Sequence, residues 1–171
     1  MQKTIGELLK FGTKIAKKAG KILLKRYGQT HKVEFKSKNN LVTEADKKSE
    51  NYIVKKINRR YPDHEILAEE SGKKPISEIS EEHIRWIIDP LDGTTNFAHG
   101  FPFFSVSIGI EKDGEMIGGI VYIPISKELF HAGKYMGAFL NGRKISVSDA
   151  ENLDKSLLAT GFPVEHREIN L

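Results

Sequence analysis

FFSVSIGIEKDGEMIGGIVYI, residues 103–123, is two β-forming runs joined at a single Asp113-Gly114 pair. Asp-Gly is among the strongest short hairpin signals, because glycine accepts the positive φ that a tight turn demands. Strands joined this way run antiparallel. The same grammar extends in both directions: EILA (65–68) and RWIID (85–89) precede the hairpin, and ELFHA (128–132), GAFLN (137–141) and KISVS (144–148) follow it, with a second turn at Asn141-Gly142. GKKPISEISEEH, between EILA and RWIID, reads as a polar loop.

Upstream the period changes from two to about 3.6. Ile5, Leu8, Leu9, Gly12, Ile15, Ala16, Ala19, Ile22 and Leu23 recur in steps of three and four, which predicts a helix over residues 5–27. HKVEFKSKNN suits a short extended piece and a loop. Thr43 then caps a second helix, with Glu44 and Asp46 in its positive first turn, Ile53, Ile57 and Tyr61 on its inner face, and Pro62 at its close. The expected fold class is therefore α+β, two N-terminal helices packed on a mostly antiparallel sheet. LDKSLLATGFPVEHREINL reads as a helical turn and a strand entering a new unit, and no segment is left to cover the second face of the sheet.

Composition narrows the chemistry. At 171 residues, 39% apolar, 29% charged and a mean hydropathy of −0.40, the chain reads as one soluble globular domain. No run approaches the roughly 20 apolar residues of a membrane span, and the N-terminus lacks the apolar core of a secretory signal, so a cytoplasmic address is the default. The absence of cysteine removes disulfides, thiolate nucleophiles and cysteine-held zinc, so any metal must be held by oxygen or histidine. The net charge of +4 is uneven: residues 1–60 hold 17 Lys/Arg against five acids, a net of +12, and residues 61–171 carry −8. The N-terminal lysines lie outside the apolar stripe without interleaved aromatics, which reads as a solvated face. Neither a nucleic-acid nor a membrane partner is expected from it.

The acids that matter follow strand-like runs: Glu69 and Glu70 after EILA, Asp89 and Asp92 after RWII. Carboxylates leaving adjacent strands can converge, and their repulsion then calls for a cation. Hard oxygen donors favour Mg²⁺, and the tight Asp89-Pro90-Leu91-Asp92 excursion can turn the Leu91 carbonyl inward as a further ligand. Gly93, Thr94, Thr95 and Asn96 have the character of a helix start that receives an anion. A metal beside an anion pocket means phosphate chemistry, with Thr94, bonded to Glu69, orienting the attacking water. Taken alone, D-P-x-D-G is also an ordinary turn, Glu69-Glu70 a solvated loop and Lys36 a surface charge. His64, His83, His99 and His131 show no ligand spacing, and Phe101, Phe103 and Phe104 read as core.

Taken together, ILAEESG, WIIDPLDGTTNFAHGFPFFSVSIGI, GAFLNGRKI and LVTEADKKSE resemble, in order and spacing, the inositol monophosphatase family of Mg²⁺-dependent, lithium-sensitive phosphatases, whose signature is D-P-[IL]-D-G-T-x-N-F after an E-E-S. The resemblance implies hydrolysis of a small phosphomonoester such as inositol 1-phosphate with two or three Mg²⁺ ions, and a homodimer. It makes Glu69, Asp89 and the Leu91 carbonyl ligands of one ion, and Asp89 and Asp92 ligands of a second. Thr94 pairs with Glu69 at the nucleophilic water, making Glu69, Thr94 and Asp92 the catalytic set. Gly93, Thr94 and Thr95 match the phosphate turn, with Glu70, Lys36 and Asp46 in support. Archaeal-type fructose bisphosphatases, other sugar phosphatases of the superfamily and a non-catalytic binding module are the alternatives.

The family also continues into a second α/β domain with a W-D-x-A-A-G element, which has no match here, since the one tryptophan is Trp86. The resemblance implies a metal- and phosphate-binding domain over residues 1–160, with 161–171 opening a second domain.

Overall fold

The structure, a computed structural model, describes residues 2–28, 33–37, 40–74 and 83–159. Helix α1 (Gln2–Leu24) and helix α2 (Glu44–Arg60) form one layer. Between them β1 (Val33–Ser37), the expected short extended piece, pairs with β2 (Asn40–Thr43) as a separate antiparallel ribbon.

The main sheet holds β3 (Glu65–Ala68), β4 (Gly72–Lys74), β5 (Ile84–Asp92), β6 (Ser105–Lys112), β7 (Glu115–Ile123), β8 (Glu128–Gly133), β9 (Gly137–Leu140) and β10 (Arg143–Ile145). Its order is β10-β9-β8-β7-β6-β5-β3-β4. Both predicted turns close hairpins: Asp113 and Gly114 adopt φ of 51° and 82°, Asn141 and Gly142 of 50° and 82°. The alternation of β6 sends Val106, Ile108 and Ile110 into the core. The last predicted strand is shorter than expected, three residues, and the expected helical turn beyond it is a 3₁₀ turn at Leu153–Lys155. The segment proposed to open a second domain, 161–171, lies outside the described residues.

One pairing departs from the antiparallel pattern. β3 and β5 run parallel, from Glu65 opposite Arg85 to Ala68 opposite Ile88. A parallel pair needs a crossover, and the short β4, which pairs back on β3, begins it.

The core lies between helices and sheet. The predicted stripe of α1, from Ile5 to Leu23, packs over β6–β8, while Ile53, Val54 and Ile57 of α2 cover β5. Each fully buried aliphatic side chain stabilises by roughly 1.5–3 kcal/mol. Phe11 of α1 meets Tyr61, just past the end of α2, edge-on at 5.2 Å, while Tyr27 past the end of α1 and Asp46 at the start of α2 both reach residues 94–100, so the two helices run antiparallel. Trp86 of β5 is fully buried behind this pair. At the other end of the layer Tyr27 follows α1, donates to the Gly100 carbonyl at 2.6 Å and packs at a tilt against Phe97 and Phe104. Phe101 and Phe103, expected in the core, are 58% and 62% exposed; Phe104 is the buried one.

Candidate active site

The parallel pairing decides where the acids meet. Because β3 and β5 share a direction, their carboxyl ends coincide, and the ladder runs one residue further through Glu69 N–H to the Ile88 carbonyl at 3.1 Å. Glu69 thereby leaves the sheet beside Asp89. Burial pushes the Asp89 carboxyl up to about 7, helped by the charges of Glu69 and Asp92 and opposed by a bond from the Leu91 N–H at 3.1 Å.

Asp92 reaches the same side through a bulge. In a regular strand residues three apart face opposite ways. Here Asp89 lies opposite Ser107 and Asp92 opposite Ser105, so Pro90 and Leu91 face one residue of β6. The extra residue shifts the alternation, burying Pro90 and Leu91 in succession and leaving both aspartates out of the core. Pro90 suits the bulge because it has no N–H to offer the ladder. Ser105 donates to Asp92 Oδ2 at 3.3 Å.

Behind the bulge stands the first half of α2, with three buried polar side chains on one face: Asp46, Ser49 and Glu50, at 1%, 0% and 4% exposure. Ser49 donates to the Pro90 carbonyl at 2.9 Å, and Glu50 accepts the backbone N–H of Glu70 at 2.8 Å. Asp46 and the Leu91 carbonyl both lie within reach of the Thr94 hydroxyl, at 3.1 and 3.0 Å. Thr94 is thus tied to α2 through Asp46. Ser49 and Glu50 were not among the predicted residues. Their signal was present in the sequence: positions 46, 49, 50, 53, 54 and 57 are one stripe, apolar in its second half and polar in its first.

Gly93, with φ of 92°, precedes helix α3 (Thr94–Ala98), and a Cβ there would stand 3.1 Å from the Phe103 carbonyl. Glycine is required at this turn on both counts. Thr94 and Thr95 open α3, which is joined to Phe103 by a bond from Asn96 Nδ2 to its carbonyl at 2.8 Å. Glu70 is half-buried next to Glu69, and Lys36 lies within β1. A cleft of about 300 Å³ opens beside Asp92, walled by Phe103, Val121 and Ile123 with Asn96 and Ser105 at its polar side. Of the histidines, His64 accepts a bond from Trp86 and His83 bonds Glu65, while Nδ1 of His131 is buried without a hydrogen-bond partner.

Among the described residues no three histidine or acidic side chains gather round one point. The acids meet in pairs that share Asp89, with the Leu91 carbonyl adjoining. An all-oxygen donor set of this kind fits a hard cation such as Mg²⁺.

Residues 5–169 match the inositol monophosphatase family. The chain belongs to that family. It is 42% identical over 158 residues to the inositol monophosphatase of Dictyostelium discoideum, covering 92% of this chain and 58% of the relative. It is 42% identical over 164 residues to the Nus factor SuhB of Pasteurella multocida, covering 95% and 60%. The crystal structure of the extragenic suppressor protein suhB from Bartonella henselae shares the fold with a TM-score of 0.79 at 39% identity, over 84% of this chain and 55% of that one. An IMPase/NADP phosphatase solved with Mg²⁺ and phosphate superposes with a TM-score of 0.69 at 27% identity, over 82% and 53%. The chain thus spans about 60% of the length of the two relatives, and its α+β architecture is that of the inositol monophosphatase fold.

Proposed function

We propose that this chain carries the metal- and phosphate-binding machinery of a Mg²⁺-dependent phosphomonoesterase acting on a small phosphorylated substrate such as inositol 1-phosphate. The observation that carries the reading is the meeting of Glu69 and Asp89 at the coincident ends of β3 and β5, with Asp92 brought to the same side by the β5 bulge. Family membership and the Mg²⁺ and phosphate of one solved relative support the same chemistry.

In this reading Glu69, Asp89 and the Leu91 carbonyl hold one ion, and Asp89 and Asp92 hold a second. Bound Mg²⁺ supplies Lewis acidity to the phosphoryl oxygens and lowers the pKa of a water. Glu69 and Thr94 orient that water, Thr94 being held in place by Asp46. The turn at Gly93, Thr94 and Thr95 receives the phosphoryl oxygens, with Glu70 and Lys36 bordering the site. The cleft beside Asp92 takes part of the organic moiety, its volume being at the lower end of the small-molecule range. Residues 1–160 form this domain, and the family reading brings with it a cytoplasmic homodimer inhibited by lithium.

The test is phosphate release from inositol 1-phosphate, with fructose 1,6-bisphosphate alongside, plus calorimetric Mg²⁺ titration, for the parent chain and Asp92→Asn. Release that requires Mg²⁺ and falls about 100-fold or more in the variant is expected, the scale of losing one electrostatic stabiliser. Release indifferent to Mg²⁺, or an Asp92→Asn chain that binds Mg²⁺ and turns over like the parent, contradicts the reading.

A further inference from the structure

Glu50 stands where an apolar side chain would favour the fold more. It is 4% exposed on the inner face of α2, one turn after Asp46, which is itself 1% exposed. A buried carboxylate costs more than the apolar residue that would continue the stripe of Ile53, Val54 and Ile57. Two like charges four residues apart on a helix also repel. Stability alone therefore does not account for a glutamate at this position.

What Glu50 holds is specific. Its Oε2 accepts the backbone N–H of Glu70 at 2.8 Å, which belongs to the peptide that follows Glu69. The peptide before Glu69 is held from the other side, by the bond from the Glu69 N–H to the Ile88 carbonyl at 3.1 Å. Glu69 is the first residue of the turn between β3 and β4, just beyond the last pairing of β3 with β5, Ala68 opposite Ile88. A residue has two soft backbone dihedrals, one toward each of its planar flanking peptides. With the first peptide tied to β5 and the second tied to α2, both dihedrals are set, and the direction in which the Glu69 side chain leaves the backbone is set with them. We propose that Glu50 is a positioning residue, which aims the Glu69 carboxylate at the site by fixing the peptide between Glu69 and Glu70.

The neighbours of Glu50 on the same helix face treat the rest of the site alike: Asp46 accepts from the Thr94 hydroxyl at 3.1 Å, and Ser49 donates to the Pro90 carbonyl at 2.9 Å. Through Asp46 and Glu50, one turn of α2 thus holds both Thr94 and Glu69, the two residues read above as orienting the attacking water. The inference rests on that reading of Glu69, and adds a residue that acts through the backbone of another. A glutamate suits the task because a bond from an N–H to a carboxylate is stronger than one to a neutral acceptor.

The experiment has two readouts, the first of which needs no metal. It is hydrogen exchange of the Glu70 amide, followed by NMR in the Mg²⁺-free chain. The amide should be protected in the parent, should exchange at least about tenfold faster in Glu50→Ala, and should regain most of its protection in Glu50→Gln, which keeps an acceptor oxygen without the charge. The second is calorimetric Mg²⁺ titration. Affinity should fall about 10–100-fold in Glu50→Ala, the scale on which residues supporting a metal ligand act, and Glu50→Gln should recover most of it. Ile53→Val thins the core of the same helix, and should lower the urea midpoint while leaving Mg²⁺ affinity at the parent's value. Should Glu50→Ala fail to fold, Glu50→Asp, one methylene short of the Glu70 N–H, makes the same comparison. A Glu70 amide no better protected in the parent than in Glu50→Ala, unchanged Mg²⁺ affinity in Glu50→Ala, a Glu50→Gln chain as impaired as Glu50→Ala, or an equal loss of affinity in Ile53→Val each overturns the inference and leaves the phosphatase reading standing. A parent chain that binds no Mg²⁺ overturns the phosphatase reading, and the role of Glu50 falls with it.

Discussion

At the scale of single residues, the chain's one tryptophan reports on a neighbouring proton. Trp86 is fully buried, and its indole N–H donates to Nδ1 of His64 at 2.9 Å. That bond needs an unprotonated nitrogen, and burial lowers the His64 pKa from its ordinary 6.5, with Asp63 acting against it. A base whose folded pKa lies below its unfolded value contributes stability that is present above the unfolded value and lost as pH falls from there through the folded one. Stability should therefore drop as pH is lowered below about 6.5. Chemical denaturation followed by Trp86 emission at pH 7.5 and 5 measures it against His64→Leu. The variant should be less stable at pH 7.5, by about 1–3 kcal/mol for the unpaired indole N–H, and should lose part of the pH dependence. Identical pH dependence in both proteins would dissociate His64 from the effect. The same strand carries the opposite case, Asp89, raised by burial and by Glu69, so β5 holds the indole that a neutral His64 accepts and, three residues on, a carboxyl whose proton is held more tightly than usual.

Secondary-structure elements act here as positioning devices. α2 supplies core contacts from Ile53, Val54 and Ile57 in its second half, and in its first half it grips the loops that carry the acids. Its Ser49 hydroxyl reaches the carbonyl of Pro90, the residue at the crest of the bulge between Asp89 and Asp92. Ser49→Ala strands that carbonyl in a fully buried setting, and a loss of about 1–3 kcal/mol is expected as a lower urea midpoint. Because the bulge sets the separation of the two aspartates, the Mg²⁺ concentration needed for half-maximal thermal stabilisation should rise in the same variant. A variant with the parent's urea midpoint and Mg²⁺ requirement would show that the bond does not hold the bulge. Thr43, Glu44 and Asp46 mark the start of α2 in the sequence, but the inward direction of Asp46, Ser49 and Glu50 is set by docking against β5 and α3.

For the whole molecule, the helices cover one face of the eight-stranded sheet and the other remains apolar. A hollow of about 390 Å³ on the sheet is lined by Met116, Val121, Phe130 and Phe139 among others, and Met116, Val121 and Ile145 are 52%, 36% and 39% exposed. Such a surface should bind an environment-sensitive dye such as ANS in the native chain, and Met116→Lys/Val121→Lys should weaken the signal while leaving the far-UV spectrum intact. Dye binding that the double variant leaves unaltered would place the exposed apolar surface elsewhere. Helix periods, both hairpin turns and the D-P-L-D-G-T-T-N-F motif were legible in the sequence, because periodicity and turn chemistry are properties of residues a few positions apart. The acids were recognisable as candidates for the same reason. Their convergence was decided by the fold: the parallel partnership of β3 with β5, the pairing of β5 with β6 that forms the bulge between Asp89 and Asp92, and the bond from Thr94 to Asp46 all join residues distant in the chain. Burial was likewise decided there, with Phe101 and Phe103 left outside and Asp46 and Glu50 taken inside, since what a side chain packs against depends on which segments meet and not on its neighbours in sequence.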